Sequence, residues 1–226
     1  MNSVTQYDAV VFDMDGVLVE RSPSWVFDEA TVGAFETFDV EPREEDHDVL
    51  RSLGRLTETE VGRFERRYDV SADSLWAARE SLAAINQLRA VETGEKRPYD
   101  GALATLDALD MPTGVVSNNS QQAVEMILRL FDFDVHLCSW YGLQPSIADA
   151  ARSKPDPTYL RRVLADLETD TAIYVGDRAT DVSAAHRAGI DSVFVHRQFN
   201  QEETFETPPT YEVDSVRELS ERLNGV

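Results

Sequence analysis

Cysteine and lysine are nearly missing from this chain of 226 residues. A single cysteine, Cys138, excludes an internal disulfide framework and a cysteine-rich zinc site, and reads as a small buried apolar residue. Only Lys96 and Lys154 are lysines, so the rest of the 21 basic residues are arginines. No run approaches the roughly 18 apolar residues of a membrane helix, and the N-terminus shows no basic-then-apolar leader. A cytoplasmic location is expected. Positive charge is scarce overall: 42 acidic residues give a formal net charge of −21. Such a surface repels nucleic-acid backbones and anionic membranes, so neither partner is expected. The acid is spread along the whole chain, and a hydrophobic fraction of 42% is that of a globular fold.

What is present begins with residues 8 to 18. Ala9 to Phe12 is an apolar run suited to a short buried strand. It ends in Asp13 and Asp15, one residue apart, followed by Gly16. Two neighbouring carboxylates repel unless a cation or a shared proton relieves them. Capping of a turn is the plain alternative for this pair.

From about Pro23 to Val91 the chain reads as successive helices. Apolar residues recur at helical spacing at Trp25, Val26, Ala30, Val32 and Phe35, and again at Leu75, Ala78, Leu82, Ile85 and Leu88 behind a Ser71 or Asp73 N-cap. From Pro98 an alternation of helix and strand follows. Strands are expected at Thr113–Ser117, Val135–Cys138, Ala172–Gly176 and Ser192–Val195. Helices are expected between them and from about Ser215 to Leu223. Strands separated by helices of about ten residues indicate βαβ crossovers and a mostly parallel, doubly wound, Rossmann-like sheet. The expected organisation is an α/β core of residues 1–19 and 96–226, with a small all-α cap of residues 20–95 inserted after the first strand.

The expected strands end in Asp13 and Asp15, in Ser117 and Asn118, and in Gly176, Asp177 and Asp181. In a parallel sheet such ends share one edge, where ligands bind. Carboxylates there suit Mg²⁺, a hard cation that prefers oxygen. A lysine, a hydroxyl and backbone N–H groups suit the transferring phosphoryl oxygens, and an aspartate can serve as nucleophile. Taken singly, Ser117 and Asn118 also read as a helix N-cap pair, Asp181 as a cap and Lys154 as a solvated side chain.

Four ordered segments, Asp13-Met-Asp15-Gly-Val-Leu, Ser117-Asn118, Lys154-Pro-Asp-Pro and Gly176-Asp177-Arg-Ala-Thr-Asp181, resemble the motifs of the haloacid dehalogenase-like hydrolase superfamily over residues 8 to about 197. The resemblance implies Asp13 as nucleophile and Mg²⁺ ligand, and Asp15 as general acid and base that also binds metal through its carbonyl. It implies Ser117 and Asn118 as phosphoryl binders, Lys154 as charge partner, and Asp177 and Asp181 as metal ligands. The acidic residue at 15 sets the chain apart from the metal-free dehalogenase branch. The insert holds no lysine before Lys96, unlike the phosphonate-cleaving branch.

The short helical cap resembles those of phosphoglycolate phosphatases, pyrophosphatases and β-phosphoglucomutase, with Arg55 either placed to meet a substrate carboxylate or distal phosphate or, equally, a solvated arginine at a helix end. An Mg²⁺-dependent phosphatase of small phosphorylated metabolites is expected, as a monomer or small homo-oligomer. A sugar phosphomutase and a non-catalytic phospho-ligand-binding protein stay open beside it. The acid-rich, lysine-poor composition resembles that of proteins from salt-loving archaea, where dense salt screens self-repulsion.

Overall fold

A computed structural model describes residues 7–43, 46, 50 and 57–223. Strand β1 (Ala9–Phe12) is four consecutive apolar residues, all fully buried. An unbroken apolar strand of this kind belongs in a parallel sheet covered on both faces. It lies at the centre of six parallel strands in the order β3-β2-β1-β4-β5-β6, the others being β2 (Thr113–Ser120), β3 (Ser139–Leu143), β4 (Ala172–Gly176), β5 (Asp191–Val195) and β6 (Tyr211–Val213). Strands β2 and β3 extend the sheet on one side of β1 and β4 to β6 on the other. The winding therefore reverses at β1 and β4, and a crevice is expected beyond their carboxyl ends.

The two-residue period of β1 divides the core. Val10 and Phe12 face helices α4 (Ala102–Asp107), α5 (Gln121–Leu130) and α9 (Val216–Leu223). Ala9 and Val11 face α7 (Thr158–Asp166) and α8 (Ala179–Ala188). A fully buried Val or Phe contributes about 1.5–3 kcal/mol through loss of apolar surface to water. A short α6 (Ile147–Ala150) precedes α7.

Between β1 and α4, the described residues form α1 (Ser24–Thr37), α2 (Glu58–Tyr68) and α3 (Ala72–Glu92). They share a separate apolar cluster that includes Ala34, Phe35, Phe64, Leu75 and Trp76. The outgoing and returning chains meet where Val19 bridges Pro98 and Glu20 N–H donates to the Arg97 carbonyl at 2.8 Å. Ser71 is the α3 N-cap, accepting from Ser74 N–H at 3.4 Å.

Four expectations are corrected. The stripe Leu75, Ala78, Leu82, Ile85, Leu88 is only partly the buried face of α3: Leu75 is buried but Ile85 is 53% exposed, and the buried side also carries Arg79, Glu80, Asn86 and Gln87 beside Trp76, Ala83 and Ala84. Polar partners fix that register, since Asn86 Nδ2 donates to the Val26 carbonyl at 3.0 Å. Residues Val135–Cys138 are not a strand; a 3-10 turn, Asp134–His136, comes first and the strand starts at Ser139. Cys138 is exposed rather than buried, because only its backbone meets the sheet, donating to the Thr113 carbonyl at 2.9 Å. The sheet also gains β6, a three-residue edge strand too short to show a period. Among the described residues no helix is long and apolar enough to cross a membrane.

Candidate active site

Asp13 follows β1 directly, and its N–H donates to the Val175 carbonyl of β4 at 2.8 Å, which pins its backbone between the two central strands. Its Oδ1 accepts from Met14 N–H at 2.8 Å and pairs with Lys154 Nζ at 2.9 Å. Lys154 is buried, not solvated. Its ammonium also reaches Asp181 Oδ1 at 2.7 Å and donates to the Tyr174 hydroxyl at 2.8 Å. The Tyr174 hydroxyl, fully buried on β4, donates in turn to the Val116 carbonyl at 2.9 Å. A buried cation here is tolerable because two carboxylates and a hydroxyl surround it.

Asp177 follows β4 and Asp181 lies in the first turn of α8. Asp13, Asp177 and Asp181 offer oxygens that all lie within 4.8 Å of one another. Burial and mutual repulsion raise Asp13 to about 7, against the pull of Lys154, and raise Asp177 to about 8. Both Asp177 carboxylate oxygens are buried without a hydrogen-bond partner. Gly16, with φ of +82°, lies against that carboxylate, and a side chain there would collide with it. A hydrogen-bond-starved carboxylate beside two others is a hard-oxygen donor set, and it fits a divalent cation such as Mg²⁺. Asp181 does two things at once. Its Oδ2 accepts from Asp177 N–H at 3.1 Å and Arg178 N–H at 2.9 Å, capping α8, while Oδ1 faces Lys154.

Ser117 and Asn118 lie on β2 but do not cap α5; Ser120 does, accepting from Ala123 N–H at 3.4 Å. Ser117 Oγ accepts from Asn119 N–H at 3.2 Å, and Asn118 Oδ1 accepts from Lys154 N–H at 2.9 Å. Asp15, half-buried, is held by two donors: Lys96 Nζ donates to its Oδ1 at 2.6 Å and Asn119 Nδ2 to its Oδ2 at 3.1 Å.

Asp13, Asp15, Ser117, Asn118, Lys154 and Asp181 line one cavity of about 420 Å³. Its roof comes from the helical insert: Phe27 of α1, with Arg79 and Glu80 of α3. The Arg79 guanidinium pairs with Glu80 and sits over the Phe27 and Trp76 rings at 5.1 Å and 5.0 Å. Arg55 lies outside the described residues. Sequence reasoning passed over Lys96, Asn119, Tyr174 and Arg79. Lysine scarcity was a signal for the first; the others became visible only through the fold. A larger groove of about 690 Å³ between α3 and α5 holds none of the converging aspartates.

A model of the haloacid dehalogenase-like hydrolase family matches residues 7–189. The chain is 30% identical to a phosphoglycolate phosphatase of Rhodospirillum rubrum over 86% of this chain and 81% of that one. It is 26% identical to a phosphoglycolate phosphatase of Pasteurella multocida, over 82% and 84% of the two chains. The solved structure of CbbY from Rhodobacter sphaeroides in complex with phosphate shares the fold, with a TM-score of 0.67, 20% identity, and 94% and 96% of the two chains covered.

Proposed function

The chain belongs to the haloacid dehalogenase-like hydrolases and is a phosphatase, and from this we propose that it hydrolyses small phosphorylated metabolites, phosphoglycolate-like or sugar phosphates, with Mg²⁺ and through an aspartyl-phosphate. The observation that carries this reading is the cluster of Asp13, Asp177 and Asp181, the first and last paired with Lys154, at the switch between β1 and β4.

In the first step an Asp13 oxygen attacks phosphorus and the ester P–O bond breaks. Asp15 gives its proton to the departing oxygen. In the second step water attacks phosphorus, Asp15 takes its proton, and the bond between phosphorus and Asp13 breaks to release phosphate. Lys154, Ser117 and Asn118 bind phosphoryl oxygens in both steps. Asp13, Asp177, Asp181 and the Asp15 carbonyl would hold Mg²⁺, which neutralises phosphoryl charge when bound. Residues 20–95 act as the cap, their helices roofing the cavity to exclude water.

Phosphate release from phosphoglycolate and from a panel of phosphorylated sugars, in molar KCl with Mg²⁺, tests the reading. Turnover is expected with wild type and should be abolished in Asp13→Asn. Absence of turnover in folded, Mg²⁺-supplied wild type contradicts it.

A further inference from the structure

Both lysines of the chain are buried in this one site, and each is assigned to a different aspartate: Lys154 to Asp13 and Lys96 to Asp15. Lys96 is 0% exposed. Its Nζ donates to Asp15 Oδ1 at 2.6 Å, Gln87 Oε1 at 2.8 Å and Ser22 Oγ at 2.9 Å, so all three ammonium donors are used. The acceptors come from separate parts of the chain: Asp15 from the loop after β1, Ser22 from the outgoing connection and Gln87 from α3. Lys96 itself lies on the return to the core. Ser22 Oγ donates in turn to Gln87 Oε1 at 3.1 Å. On the far side of Asp15, Asn119 Nδ2 donates to Oδ2 at 3.1 Å, and Gln87 Nε2 reaches Asn119 Oδ1 at 3.4 Å. Lys96, Asp15, Asn119 and Gln87 thus form a closed ring of hydrogen bonds.

A buried ammonium costs several kcal/mol of lost hydration and is tolerated only with full pairing. An apolar side chain would fill a hinge more cheaply. A guanidinium, the cation this chain uses nearly everywhere else, offers its donors in one plane and suits three separately placed acceptors less well than an ammonium. The cavity that holds Asp15 is not lined by Lys96, so the lysine meets the reaction only through the carboxylate.

We propose that Lys96 is a positioning residue for proton transfer: with Gln87 and Ser22 it fixes the Asp15 carboxylate by Oδ1, while Oδ2, which accepts from Asn119 through one lone pair, carries the proton to and from the reacting oxygen on the other. This rests on the phosphatase reading of the site. It also ties the proton-transfer group to α3 of the helical insert and to both connecting segments, so that the insert's placement and the orientation of Asp15 are set together.

The test compares leaving groups. An alkoxide needs the Asp15 proton to depart, whereas p-nitrophenolate leaves without one, and general acid catalysis is worth roughly 10²–10⁴-fold. In Lys96→Met, kcat/KM for phosphoglycolate is expected to fall about 10-fold or more beyond any fall for p-nitrophenyl phosphate, with Lys96→Gln, which keeps N–H donors but no charge, in between. Equal losses on both substrates, or no loss in a folded variant, overturn the proposal. If Lys96→Met does not fold, Gln87→Met keeps the lysine and removes one anchor. It must show the same selective loss at smaller size, and an equal loss on both substrates overturns the proposal there too. Wild type inactive on both substrates would sink the phosphatase reading itself, a result distinct from unselective losses in an active enzyme.

Discussion

At the scale of single residues, the site is a balance of buried charge that tilts negative. Lys154 faces Asp13 and Asp181 from within hydrogen-bonding range, while Asp177 has no such partner. Removing one member of a buried pair typically costs about 3–5 kcal/mol because the other charge is stranded. Lys154→Met is therefore expected to destabilise the metal-free protein by about that amount in denaturant melts, and to abolish turnover. The pH dependence follows from the raised values, about 7 for Asp13 and about 8 for Asp177. Both lie above the ordinary carboxylate range of the unfolded chain, so between about pH 4 and 8 the folded state holds more protons. Their contribution to stability is present at low pH and lost as pH rises through 7 to 8. Metal-free wild type should melt lower at pH 8 than at pH 6, relative to Asp177→Asn, and Mg²⁺ should restore the stability lost at pH 8. A wild-type midpoint that rises over that interval relative to Asp177→Asn contradicts this account of the cluster.

At the scale of elements, helix α3 shows what a sequence pattern captures and what it misses. Its existence and a cap at Ser71 or Asp73 were legible, since cap chemistry is local, and Ser71 is the one used. Its face was not, because Arg79, Asn86 and Gln87 are buried by partners far along the chain that no periodicity reveals. The consequence is measurable. Ile85→Asp should change stability by less than about 0.5 kcal/mol, as surface substitutions do. Ala84→Asp, which buries a charge against its neighbours, should cost several times more in the same melts. Strands β1 and β4 were legible for the opposite reason: they are continuous apolar runs ending at once in aspartate, so strand and site are marked by the same few residues. The strand at Ser139–Leu143 was displaced in expectation because Val135 to Cys138 look apolar, yet Val135 is 75% exposed. The candidate site was read from the strand ends, and the ring around Lys96 required the insert to fold back onto the core.

At the scale of the whole molecule, a net charge of −21 and the aspartate cluster predict that stability and activity respond to cations of two kinds. Monovalent salt screens the surface repulsion, with a Debye length near 3 Å at about 1 M. The melting temperature should therefore rise from 0.1 M to 2 M KCl, and a flat response would speak against surface repulsion as a main destabilising force. A divalent cation held as proposed among Asp13, Asp177 and Asp181 would act at that one place, and its stabilisation should vanish in Asp177→Asn. The central claim is that Asp13 becomes covalently phosphorylated. Acid quenching of wild type during turnover of phosphoglycolate, followed by borohydride reduction and peptide mass analysis, tests it most directly. Reductive modification at residue 13 that depends on substrate and Mg²⁺ is the predicted result. Sustained turnover with the Asp13 peptide unmodified at every quench time would contradict it.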